Sequence, residues 1–292
     1  MRASRIVSTV ALSMCVAGLV GGCAGGAGSG AAVRSVPRTA QAQDDLLKSA
    51  QTELVQRCLT DRKIPTPTSA EPQPADGQRQ FPYGIDDPVW AAEHGFGIAV
   101  GTGRSRPATP KLDRTAAARQ QRLADALFGT GRRELSTRTA TGFVVRANSD
   151  GCLAEAQRVL YGDQAAWFRT DVTVNNLAAA AHQRVTRDPA YRAALARWSR
   201  CVAPVHKAED PAELRAAWQR QARDLGRRQA TALQRRYALA EARCVRSTDL
   251  AATGTQLERR HTAELRARYA DQIDEHRRLR DHGLRYAVRH GR

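Results

Sequence analysis

The sequence predicts a mainly α-helical domain, stapled by two disulfides, with long irregular loops and at most one short strand pair. Apolar residues recur at spacings of three and four over most of the chain beyond residue 44, as they do on amphipathic helices. Only Thr139 to Arg146, with Thr141, Phe143, Val144 and Val145, reads as a strand, and one short strand cannot make a sheet alone. Four cysteines, Cys58, Cys152, Cys201 and Cys244, lie beyond the N-terminal region, an even number. The 292 residues are 42% hydrophobic but only 5% aromatic, so the core must rest mainly on Ala, Leu and Val. That length allows one or two compact domains with a sizeable core. The apolar content argues against intrinsic disorder. Only one apolar run approaches spanning length, which argues against a multi-span membrane protein.

The elements follow in order. Asp45 to Thr60 reads as a first helix, with Leu46, Leu47, Leu54 and Cys58 on one side. Pro65, Pro67, Pro72 and Pro74 then enforce an extended loop. Asp87-Pro88 marks a helix start, a cap followed by proline at the first helical position, and Gly95 marks its stop. The stretch from Gly95 to Gly103 is too interrupted by glycine for a helix. Further helices are expected at Arg114 to Phe128, Cys152 to Tyr161, Asp163 to Arg184 and Asp188 to Cys201. Asp210-Pro211 opens the next helical region, whose stripe of Leu214, Trp218, Ala222 and Leu225 continues through Leu233, Tyr237, Ala240 and Cys244. Gln229 interrupts that stripe beside Gly226. The last helix is expected from Gln256 to roughly His282, with Leu257, Leu265, Tyr269 and Ile273 inward.

The N-terminal region has a different plan. Two arginines precede the fifteen-residue, mostly apolar run Ile6 to Val20, the n- and h-regions of a signal peptide spanning residues 1–22. Val20-Gly21-Gly22-Cys23 then resembles the lipobox of bacterial lipoproteins, with Val20 where leucine is commoner. The resemblance implies a diacylglyceryl group on the Cys23 thiol and cleavage by signal peptidase II just before it. Two acyl chains suffice for stable anchoring where one does not. Free secretion, with cleavage in the Gly/Ala-rich stretch after Cys23, is the alternative. Residues 24–43 lack apolar periodicity and read as a flexible tether of roughly 25 Å root-mean-square span. The expected location is therefore the outer face of the cytoplasmic membrane. Residues 44–292 are then one domain, divisible into halves at 44–187 and 188–292.

An even set of cysteines in an exported chain reads as two disulfides. Metal is the rival reading, but no two cysteines stand at a C-x₂₋₄-C spacing and no histidines are arranged as ligands. Three pairings are possible. Arg57-Cys58-Leu59 and Arg200-Cys201-Val202 each close an apparent helix, which suggests two similar halves and favours Cys58–Cys152 with Cys201–Cys244. An unbroken helix from Ala212 to Cys244 would be about 50 Å long and would carry Cys244 far from Cys201. A break at Gly226 permits that bridge, so the two expectations stand or fall together.

The formal net charge is +17, from 46 basic and 29 acidic residues, and only four of the basic residues are lysine. From Arg184 onward 25 basic residues face 13 acidic ones. The C-terminal helices therefore own the basic character. An anion-facing surface, meeting lipid headgroups or an anionic wall polymer, is one reading. A solvated face is the other, and it is favoured by interleaved signs, as in Glu258 with Arg259 and Arg260, or Asp274 and Glu275 with Arg277 and Arg278. An envelope protein is a further possible partner. Nucleic acid is disfavoured, because the chain is exported and no binding module is recognisable.

The segment Tyr83 to Gly97 concentrates carboxylates, a histidine and aromatics, so Glu93 or His94 beside Trp90 could serve an envelope hydrolase as acid or base. The favoured reading is a capped short helix whose Tyr83, Trp90 and Phe96 anchor a loop, because no third group with a role is visible. His276 and His282, near Asp274, Glu275 and Asp281, read as surface salt pairing. No G-K-[ST], G-x-S-x-G, H-E-x-x-H or C-x-x-C motif occurs. No catalytic residue, metal site or cofactor is assigned.

Spaced weak motifs recur along the chain: Arg57-Cys58, Tyr83-Gly84…Asp87…Gly95-Phe96-Gly97, Gly151-Cys152…Glu155-Ala156…Leu160-Tyr161-Gly162, Trp198…Cys201 and Ala238…Ala240-Glu241-Ala242…Cys244. In this order, with the four cysteines, the chain resembles a group of exported, often lipid-anchored actinomycete proteins without an assigned function. The resemblance covers about Gln51 to Ala270. It departs at Leu59 and Val202, where methionine commonly follows the cysteine, and at Glu241, where a more neutral residue is expected. It implies architecture and location, and no chemistry.

Overall fold

Helix starts are set by side chains that bond the free backbone N–H groups of the first turn. In the computed structural model, which describes residues 35–65, 79–100 and 113–290, aspartates do this repeatedly. Asp87 caps α2 (Pro88–His94), Asp113 caps α3 (Arg114–Phe128), and Asp163 caps α5 (Gln164–Arg187). Asp188 caps α6 (Pro189–Val202) and Asp210 caps α7 (Pro211–Ala222), each with proline at the first helical position, as in α2. Gly95 ends α2 at φ 63°, a left-handed conformation that glycine adopts without strain. The signal peptide and Cys23 lie outside the described residues, as do residues 66–78 of the proline loop and Gly101 to Gly103.

Three expectations about elements change. The first helix, α1 (Ala40–Asp61), begins at the Thr39 cap, so Ala40 to Gln43 are helical and not tether. The strand expected at Thr139 to Arg146 is a hairpin, β1 (Glu134–Arg138) paired antiparallel with β2 (Val144–Asn148), in register Glu134↔Asn148 to Arg138↔Val144. Thr139 to Phe143 form its turn, because threonine hydroxyls bond backbone there. Phe143 N–H donates to Thr139 Oγ1 at 2.9 Å, while the Thr141 N–H and hydroxyl both reach Asn176 Oδ1. The long C-terminal helix is two, α9 (Leu250–Arg268) and α10 (Ala270–His290), broken at Tyr269. Leu257 packs into the core around Tyr83, Leu265 packs with Leu177 and Ala181, and Leu279, Leu284 and Ala287 pack with Leu47 and Tyr161.

The chain does break at Gly226. Helix α8 (Arg227–Ser247) folds back along α7, and Trp218 Nε1 donates to Ala230 O at 3.2 Å across the pair. The two halves of the expected stripe therefore face each other, although Leu225, at the turn, is exposed. Gly226 itself is extended (φ −63°, ψ 153°), a conformation open to any residue, so packing and not glycine geometry makes the break. Both favoured disulfides form: Cys58–Cys152 joins α1 to α4 (Cys152–Tyr161), and Cys201–Cys244 joins α6 to α8.

The largest core lies among α2, α6, α7, α8 and the start of α9, around Tyr83, Ile85, Trp198, Leu214, Trp218 and Val245. A second core, with Leu47, Leu160, Tyr161, Trp167 and Leu284, lies among α1, α4, α5 and α10. Cys58, Leu59, Ala126 and Cys152 form a third under α3. Leu177, Ala180, Ala181 and Leu265 join α5 to α9 between them. A cut between residues 187 and 188 does not separate these cores, since α2 packs on α8 and α10 packs on α1, α4 and α5.

Candidate functional site: a carboxylate-free arginine face

Helix α6 carries Arg192, Arg197 and Arg200 and no acidic residue within its bounds. Helix α8 carries Arg227, Arg228, Arg235, Arg236, Arg243 and Arg246, with one acid, Glu241. A turn of 100° per residue puts Arg228, Arg235, Arg236, Arg243 and Arg246 on one exposed arc of α8, opposite the buried Gln234, Ala238, Glu241 and Val245. The arc runs about 27 Å along the axis. None of these five arginines, nor Arg197 or Arg200, forms an ion pair among the described residues; Arg235 donates to the Glu93 carbonyl and Arg197 to the Thr248 carbonyl. The interleaving of signs expected for the C-terminal half holds on α9 and α10, where Arg260 pairs with Glu264 and Arg277 with Asp274. It does not hold on α8.

The one acid of α8 points the other way. Glu241 is 0% exposed. Its Oε1 accepts from Ile85 N–H at 2.8 Å and from Arg215 Nη2 at 2.9 Å, tying α8 to α7 and to the loop before α2. Its Oε2 and Arg215 Nε are buried without a partner among the described residues. Burial raises the Glu241 carboxyl above its usual range, against the pull of Arg215 and the Ile85 N–H. The departure that Glu241 makes from the expected pattern is thus a structural tie, and it leaves the outer arc of α8 uniformly positive.

The residues singled out as a possible acid or base lie beside this face, where Arg235 meets the Glu93 carbonyl. Glu93 and His94 end α2 with their side chains mostly exposed, Glu93 Oε2 3.8 Å from His94 Nδ1. The His94 ring stacks on Trp90 at 5.0 Å, and its Nδ1 faces the Trp90 carbonyl at 3.1 Å. Asp87 is held below the usual carboxylate range by the Trp90 N–H it caps, then by Arg79. Phe81, against Trp90, and Phe96, against Trp218, fasten this segment to the core.

His276 and His282 are not paired with the acids beside them in sequence. His276 stacks on Trp167 at 4.7 Å and faces Asp171 at 3.3 Å, and His282 Nδ1 lies 3.0 Å from the Leu160 carbonyl. His276 lines a polar groove of about 310 Å³, where α1, α5 and α10 each present residues at a spacing of four: Asp44 and Lys48, Asp171 and Asn175, His276 and Arg280. Arg280 reaches Asp44 at 2.7 Å across it. Tyr161 and Trp167 also line the groove, with ring centres 3.6 Å apart, and burial pushes the Tyr161 hydroxyl up to about 12. The spacing of four on each helix was readable, but not the approach of three helices separated by up to 236 residues in sequence from Asp44 to Arg280. Among the described residues no three His, Cys, Asp or Glu side chains are placed to hold a metal ion. No described helix is long and apolar enough to cross a membrane.

Set against protein-family models, curated proteins and solved structures, the chain matches none of them.

Proposed function

We propose that this chain is a non-enzymatic, lipid-anchored envelope module that holds an anionic wall polymer along α6 and α8 at the outer face of the cytoplasmic membrane. The observation that carries the reading is the exposed arc of five arginines on α8, with no carboxylate on it and three more arginines on the disulfide-linked α6. A row of guanidinium groups that form no ion pair among the described residues matches a linear polyanion, and each can grip phosphate or carboxylate in a two-pronged way. Two disulfides belong to an oxidising, extracytoplasmic compartment. The signal-peptide plan and the lipobox-like Val20 to Cys23 support anchoring, as does the resemblance of the spaced motifs to exported, often lipid-anchored actinomycete proteins.

Cross-linking in intact cells, followed by fractionation, tests both parts. The Cys23→Ala chain is expected to leave the membrane fraction for the medium. A chain with Arg228, Arg235, Arg236 and Arg243 all replaced by Gln is expected to stay anchored and to lose the polymer from its cross-linked product. A Cys23→Ala chain that stays on the membrane contradicts the anchor. An undiminished polymer adduct in the arginine variant contradicts the binding face.

A further inference from the structure

The two disulfides differ in exposure. Cys58 and Cys152 are 7% and 0% exposed, and Cys58 Sγ lies 3.4 Å from a Glu155 carboxylate that is itself paired with Arg62. Cys244 is also buried, at 5%, but its partner Cys201 is exposed. Around Cys201–Cys244 the charge is of one sign. Arg200 precedes Cys201 and Arg243 precedes Cys244, while Arg197, one turn before Cys201, reaches the Thr248 carbonyl just past Cys244 at 3.3 Å. Arg246 follows on the same side of α8, and Ser247 Oγ lies 3.8 Å from Cys201 Sγ.

We propose that Cys201 is a thiol-exchange site, taking small anionic thiols. Exchange begins when a thiolate attacks one sulfur of a disulfide, so its rate depends on access to that sulfur and on the local field. Of these four cysteines only Cys201 offers access; Cys58, Cys152 and Cys244 are covered by the cores. The incoming thiolate forms an S–S bond to Cys201 Sγ while the Cys201–Cys244 bond breaks. Cys244 leaves with the electron pair and takes a proton from solvent. A second thiolate attacking the Cys201 adduct releases the small disulfide and leaves both cysteines as thiols, so the small thiol is the reductant. Arg197, Arg200 and Arg243 gather the anionic thiol beside Cys201. The consequence is release of the staple between the two arginine-bearing helices, with Trp198, Val202 and Val245 still packed beneath it. This inference stands apart from the proposed polymer binding.

The test treats the full chain with mercaptoethanesulfonate (anionic), 2-mercaptoethanol (neutral) and cysteamine (cationic). Alkylation and peptide mapping then give the opening rate of each bridge. Cys201–Cys244 is expected to open at least tenfold faster than Cys58–Cys152, with the adduct on Cys201. Per thiolate, the rates should fall from anionic to neutral to cationic thiol, and the spread should close with added salt. A chain carrying Arg200→Gln and Arg243→Gln should lose the preference for the anionic thiol while keeping the rate with the neutral one. Equal opening of the two bridges, an adduct on Cys244, or rates indifferent to thiol charge would each overturn the proposal.

Discussion

Glu241 shows how much a single buried charge can organise. Its Oε1 satisfies the Ile85 N–H from 156 residues away and holds Arg215, so Glu241→Ala leaves both without their acceptor. That variant should lose about 3–5 kcal/mol in denaturant unfolding. Glu241→Gln keeps an acceptor for Ile85 and removes the buried charge. A raised carboxyl binds its proton more tightly in the folded chain. Its contribution is therefore full below the ordinary carboxyl range and declines as pH rises toward the folded value. The stability of Glu241→Gln relative to the parent should accordingly improve between pH 4 and pH 7; a difference independent of pH would contradict this. Asp188 runs the other way. The Ala190 N–H and Arg260 lower its pKa, so its contribution is present at neutral pH and lost as pH falls through the acid range. Asp188→Asn should flatten that part of the acid unfolding curve. The sequence made Glu241 visible as an acid within the stripe of Tyr237 and Cys244, but its partners come from two other elements and leave no local signal.

At the scale of elements, legibility followed local chemistry. Asp-Pro starts at α2 and α7 and glycine stops at α2, α3 and α4 were readable because caps act within four residues. The strand expected at Thr139 to Arg146 meets β2 only from Val144, because the threonines at 139 and 141 act through their hydroxyls and make a turn. The break at Tyr269 was missed because the apolar period runs on across it, and only the position of two cores decides where each half faces. The fold-back at Gly226 was legible through its link to a disulfide. Replacing Cys201 and Cys244 together by Ser should cost about 4 kcal/mol and replacing Cys58 and Cys152 about 4.7 kcal/mol in the chain-entropy account of loops closed across 43 and 94 residues. Thermal unfolding of the two variants checks both the size and the order. Gly254→Ala should also destabilise strongly, because its new methyl group would meet the Tyr83 ring.

For the whole molecule, the positive charge is not spread evenly over the C-terminal half. On α9 and α10 acids and bases interleave and neutralise one another locally, whereas α6 and α8 keep their arginines free of acids and meet at an accessible disulfide. Composition alone gave the surplus, but the distinction needs the fold, because it rests on Glu241 turning inward. Binding of the purified chain to a soluble poly(glycerol phosphate), followed over a salt series, tests the central claim most directly. Five arginines neutralising phosphates predict a slope of log affinity against log salt of roughly −3, falling toward zero when Arg228, Arg235, Arg236 and Arg243 become Gln. Vesicles of anionic lipid should bind less tightly than the polymer at the same phosphate concentration. A slope unchanged by the four substitutions, or tighter binding to the vesicles, would contradict a polymer-holding face on α6 and α8.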